Sequence, residues 1–195
     1  MQTHMRYKPE DIFTPQGLLS EVEKTPNLDF LMNVFNIPRA FGVSGFGGSW
    51  NVGKHSVATA LIALFWAKFN KFSPQKRDRL VTQALLHDLH ESVTGDILPM
   101  FKSTSVKKRL EKVQANILRA LGTETDRTVI TDLKIVDLIA FLYEIKQVSP
   151  SILHPKKLQL AHTIEEKQRT LLFTYAKKQG VPKEKIAEFL TELEL

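Results

Sequence analysis

The chain has 195 residues, 43% hydrophobic and 25% charged, the profile of a globular protein long enough to build a full core. It has no cysteine, which excludes disulfides, zinc–thiolate sites and thiol nucleophiles. Its net charge of +6 and pI near 9.5 favour polyanionic partners such as nucleotides and phosphate esters, or reflect only a solvated, lysine-rich surface.

The elements read as helices almost throughout. In residues 14–24, Thr14 offers a cap and Pro15 a first helical position. Residues 27–36 place Leu28, Leu31, Met32 and Phe35 on one stripe. Residues 37–53 hold five of the nine glycines and no helical period, so they read as a loop, and long loops in compact domains tend to be functional. Residues 54–69 are apolar nearly all round and are expected to form a central, buried helix. Residues 73–92 follow as one helix, with Ser73 as cap and Pro74 at its first position.

Residues 103–122 are strongly amphipathic. Val106, Leu110, Val113, Ile117, Leu118 and Leu121 share a face, and Gly122 closes the helix. Residues 126–148, 157–180 and 182–195 complete an all-α set of about seven helices in one domain spanning residues 1–195. No apolar run approaches the roughly 20 residues of a membrane span. The N-terminus lacks a signal-peptide core, so a cytoplasmic location is the default. Basic residues are scattered, and no nucleic-acid recognition signature is present, so nucleic acid is not the expected partner.

One stretch stands out. "HDLHESVTGD", residues 87–96, holds His87, Asp88, His90, Glu91 and Asp96 directly after an apolar run. Leu80, Ala84, His87, Asp88 and Glu91 fall on one side of a helix, so a core-facing stripe turns ionisable and needs a compensating partner. Either this is an ordinary polar helix end or it holds a cation. Two further helices offer ionisable groups within apolar patterns: His55, after the glycine-rich loop, and Asp137, with Asp132 as the competing acid. His55, His87, Asp88 and Asp137 form a mixed nitrogen–oxygen set suited to Mn, Fe, Co, Ni or Zn. The zinc-protease motif, the serine-hydrolase elbow and the P-loop are absent.

The segments "VGKHSVATALIAL", "LLHDLHESVTGDILP" and "LKIVDLIAFL" resemble the HD-domain metal-dependent phosphohydrolases. Within them the likeness is to YfbR-like 5′-deoxynucleotidases and to phage DatZ-type deoxynucleoside triphosphohydrolases, across residues 30–175. The resemblance implies a divalent transition metal on His55, His87, Asp88 and Asp137. It implies Glu91 as the acid/base for the attacking water, and Asp96 as a partner of the sugar 3′-hydroxyl. Arg39 would grip phosphate, and Lys134 would offset phosphate charge. There are departures. Ala40 and then Phe41 follow Arg39, where the family has an aromatic residue at once. Lys54 precedes His55, where an acid is usual, and "GDILP" carries an extra residue. All three, with Phe41 itself, bear on the substrate side of the pocket.

The expected activity is therefore hydrolysis of a small-molecule deoxynucleoside 5′-monophosphate. The alternatives are release of triphosphate from a dNTP such as dATP, with Lys54, Lys102, Lys107 and Lys108 as extra cations, and a non-catalytic nucleotide or nucleic-acid binding module. Members of this family are often dimers, so a homodimer or higher homo-oligomer fits, with residues 103–122 as one interface candidate, although packing on the core is the plainer expectation for that helix. His90 has no assigned role.

Overall fold

A computed structural model describes residues 28–39, 50–97, 102–147 and 155–195. Its helices are α1 (Leu28–Met32), continued by a 3-10 turn at Asn33–Phe35, α2 (Val52–Phe69), α3 (Pro74–Leu86), α4 (Glu91–Thr94), α5 (Thr104–Ala120), α6 (Ile130–Lys146), α7 (Pro155–Lys178) and α8 (Lys183–Glu192). Among the described residues there is no strand, only an isolated bridge between Pro38 and Asn51. The all-α class expected from the sequence is the class observed. The expected helix at 14–24 and most of the glycine-rich loop lie outside the described residues.

Side-chain caps start three of the long helices. Asn51, Ser73 and Ser103 each accept a bond from the backbone N–H three residues on, supplying a partner that the first helical turn lacks. α6 begins at Ile130 rather than at 126, because Asp126 bends back to bond the Thr128 N–H and hydroxyl at 2.8 and 2.6 Å.

Two apolar clusters organise the packing. The first joins α2, α3, α6, α7 and α8. Trp66 sits within it, 1% exposed, 4.9 Å from the Phe189 ring, with its indole N–H donated to Asp132 at 2.9 Å. The second joins Leu31, Val34, Val52, Leu89, Val113 and Ile117. α3 feeds Leu80 and Ala84 into the first cluster, and the turn after it sends Leu89 into the second. The ionisable stretch therefore lies between the two.

Three expectations need correction. Residues 54–69 are not buried all round: Val57, Leu61, Leu64 and Phe65 are 42–53% exposed. The helix is apolar on both faces, so its pattern could not say which face meets α3 and α6. Residues 73–92 are not one helix either. α3 stops at Leu86, a turn covers 87–90, and α4 restarts at Glu91. The single face read from Leu80 through Glu91 is thus interrupted just where it becomes ionisable. Leu121, assigned to the buried face of α5, is 44% exposed at the helix end.

Candidate metal centre

His55 lies near the start of α2, His87 and Asp88 in the turn after α3, and Asp137 midway along α6. The four converge. His55 Nε2 is 3.0 Å from Asp137 Oδ1 and 3.8 Å from Asp88 Oδ2. His87 Nε2 is 3.2 Å from Asp88 Oδ2 and 3.7 Å from Asp137 Oδ1. Donors bonded to one ion at roughly 2.0–2.2 Å stand roughly 3 Å apart from one another. These spacings are close to that requirement. Asp132, the competing acid, is engaged elsewhere, with Trp66 and with Lys76 at 2.9 Å.

Both imidazoles turn Nε2 towards the centre for identifiable reasons. His87 Nδ1 is 2.7 Å from the Ala84 carbonyl, which can only accept, so Nδ1 carries the proton and Nε2 is left as the free donor atom. His55 Nδ1 is held by the Glu144 carboxylate, the carboxylate–histidine arrangement that fixes a metal-binding ring. His87 Nε2 is buried and, despite its nearness to Asp88, has no aligned hydrogen-bond partner among the described residues. A buried orphan atom amid donors suits a cation better than it suits a packed core.

Without a metal, the same carboxylates draw a proton to His87, which an ion would have to displace. Burial opposes charge on His87, but Asp88 and Asp137 overcome it and raise the imidazole to about 10. Burial also opposes ionisation of Asp88 and Asp137, yet both are held well below the ordinary carboxylate range: Asp88 by His87, Arg39 and His55, and Asp137 by His55, His87 and Lys134. Glu91 behaves differently. It is 1% exposed, and burial, reinforced by Asp88 and Asp96, pushes it up to about 8 against the pull of Arg39 and Lys102. Its Oε2 is a second buried atom without a hydrogen-bond partner among the described residues.

A cavity of about 250 Å³ opens beside these groups. Arg39, Asp96, Lys102 and Lys134 line it with Asp88, Glu91 and Asp137, and Leu138, Phe141, Gln168 and Leu171 form its other wall. Arg39 reaches Glu144 Oε1 at 3.3 Å, Asp88 Oδ2 at 3.4 Å and Glu91 Oε2 at 3.9 Å. Lys102 is 3.6 Å from Glu91 Oε1, and Lys134 bonds Asp137 Oδ2 at 2.7 Å. The structure therefore gathers Arg39, His55, His87, Asp88, Glu91, Asp96, Lys134 and Asp137 into one region. Phe41 lies outside the described residues. Glu144 and the wall of Leu138, Phe141, Gln168 and Leu171 were not found from sequence. Glu144 left one signal: it follows Asp137 by seven residues, two turns along the same face of α6. His90, unassigned from sequence, is buried at 9% exposure.

Residues 45–137 match the model of the HD domain. The full fold is similar to that of the cyanophage S-2L HD phosphohydrolase DatZ, bound to dA and one catalytic Zn2+ ion, with a TM-score of 0.63. Sequence identity is 18%, over 87% of this chain and 95% of that one. Residues 45–137 are thus identified as an HD domain, and the likeness to the cyanophage enzyme is one of fold. No curated protein matches it significantly in sequence. The His87–Asp88 dipeptide lies within the matched residues, and it stands in a turn rather than within a helix. A divalent metal is the cofactor of such a domain, and the donor set of His55, His87 and Asp137 is compact enough to hold one, every ligand atom lying within 4.8 Å of the others. Among the described residues no helix is long and apolar enough to cross a membrane.

Proposed function

We propose that the protein is a metal-dependent deoxynucleotide phosphohydrolase, acting first on deoxynucleoside 5′-monophosphates. The observation that carries this reading is the convergence of His55, His87, Asp88 and Asp137 beside a cavity into which Glu91 turns a buried carboxylate. The deoxynucleoside held by the cyanophage HD phosphohydrolase supports the substrate class.

Each residue then has a task. His55, His87, Asp88 and Asp137 would hold the ion. That ion supplies Lewis acidity towards a phosphoryl oxygen and lowers the pKa of water. Glu91 Oε2 takes the proton of the water that attacks phosphorus. Burial favours this, because a carboxyl raised towards neutrality is a stronger base than an exposed one. The bond from phosphorus to the sugar O5′ breaks, and the products are deoxynucleoside and phosphate. Arg39 and Lys102 face the charge that develops on the phosphoryl oxygens. Asp96 accepts from the sugar 3′-hydroxyl, and Phe141 and Leu171 offer apolar surface to the base.

The cation supply favours the monophosphate over the triphosphate. The cations among the described residues that line the cavity, Arg39, Lys102 and Lys134, each already pair with a carboxylate of the site, so a longer anion would need positive charge from beyond that lining. The cavity is also small against the usual range of about 300–1,000 Å³. Incubation of the purified protein with Mn2+ or Co2+ and either dAMP or dATP, reading phosphate and triphosphate separately, tests the reading. Phosphate from dAMP is expected. Triphosphate from dATP alone would overturn the substrate choice, and no turnover of either by metal-loaded protein would overturn the hydrolase reading for both.

A further inference from the structure

The break between α3 and α4 has a physical agent. In an α-helix the N–H of His90 would bond the carbonyl of Leu86, four residues back. It does not. His90 N–H donates to Gln114 Oε1 at 3.0 Å, and Gln114 Nε2 donates to Leu86 O at 2.7 Å. The carboxamide of one side chain thus stands in the place of one helical hydrogen bond. Insertion of a side chain into the i→i−4 ladder is a recognised cause of helix kinks. The neighbouring amides of Leu89, Glu91 and Ser92 bond three residues back instead of four, so the turn is locally tightened around the insertion.

Gln114 comes from α5, 24 residues beyond His90. It follows Val113, which is packed with Ile117 and Leu89 in the second apolar cluster. The backbone that carries Gln114 and the side chain that anchors the turn are therefore fixed in the same place. Between the two spliced ends stand His87, Asp88 and Leu89, and Glu91 opens the next helix. A continuous helix would turn each residue about 100° past the previous one. The ladder is opened where His87 and Asp88 leave the backbone and just before Glu91, so these three side chains do not follow that regular rotation.

We propose that Gln114 is a positioning residue for the metal centre: its carboxamide, spliced between Leu86 and His90, sets the angle at which His87 and Asp88 face His55 and Asp137 and at which Glu91 enters the pocket. It touches neither metal nor substrate. The inference rests on the reading of His87 and Asp88 as metal ligands.

The test compares wild type, Gln114→Met and Gln114→Asn. Methionine keeps the length and removes both hydrogen-bonding groups. Asparagine keeps both groups but is one methylene too short to bridge them. Co2+ affinity by calorimetry, the Co2+ visible spectrum, kcat and KM, and the melting temperature of metal-free protein are measured for each. Both variants are expected to bind Co2+ about tenfold more weakly, the size usual for a lost outer-shell partner. The visible bands should shift, and kcat should fall more than KM changes. Should Gln114→Met fail to fold, Gln114→Asn carries the comparison. A wild-type spectrum and affinity in either folded variant would overturn the inference, even with a lowered melting temperature, because Gln114 would then be only a tie between α5 and the core. Failure of wild type itself to bind Co2+ would overturn the metal reading instead.

Discussion

Glu91 and Glu144 are both buried, at 1% and 0% exposure, and removing their charges should have separable effects. Glu91→Gln keeps the shape of the side chain and removes the proton acceptor. Turnover should fall by roughly 10²–10⁴, the usual share of a general base, with metal content unchanged by elemental analysis. Glu144→Gln weakens the support of His55 and strips Arg39 of one counter-charge. Metal affinity should fall about 10–100-fold, and kcat should recover at saturating metal. Equal loss of metal from both variants would show that Glu91 is a ligand rather than a base. Most of this centre was legible as single residues, because His55, His87, Asp88 and Asp137 each break an apolar pattern. Glu144 was not, since Lys146 and Gln147 follow it and an acid near a polar helix end reads as surface.

The helices themselves were legible from period, caps and punctuation; the break in the middle of the key one was not. "LLHDLHESV" continues the spacing of α3 through Leu86, Leu89 and Val93 and contains neither glycine nor proline. The agent of the break sits on another helix, and no local pattern can report it. The end of α4 is different, because Gly95 announces it. Its φ of 70° lies in the left-handed region, its N–H returns to the Glu91 carbonyl at 2.9 Å, and a Cβ there would meet nothing within 4 Å. Gly95→Ala should therefore cost backbone strain alone, about 1–3 kcal/mol, read as a lower denaturation midpoint in urea with an unchanged slope. An unchanged midpoint would mean that residues 94–97 relax into another turn, and Asp96 would then move with them.

At the scale of the whole molecule, the +6 charge does not mark a polyanion surface so much as it conceals a concentrated negative site. Four buried or half-buried carboxylates, Asp88, Glu91, Asp137 and Glu144, surround two imidazoles, and in the absence of metal this field draws protons to two of the site's groups, His87 and Glu91. His87 rises from 6.5 to about 10, and Glu91 from 4.5 to about 8. Both bind protons more tightly folded than unfolded. The stability they contribute is full below their ordinary values and is lost as pH rises through the folded ones. Asp88 and Asp137, shifted downwards from 3.8, contribute above that value and lose their share only in acid. Metal-free protein should therefore weaken as pH rises from 6.5 towards 9. A divalent ion reverses the trend, since it occupies the same field and competes with those protons, so it binds better as they leave. At a metal concentration 100 times Kd the ion adds about 2.7 kcal/mol. Melting curves with and without Mn2+ at several pH values should thus diverge above pH 6.5, the metal-induced rise in Tm growing with pH. Parallel curves across that range would mean that the His87 and Glu91 protons are not what the metal displaces.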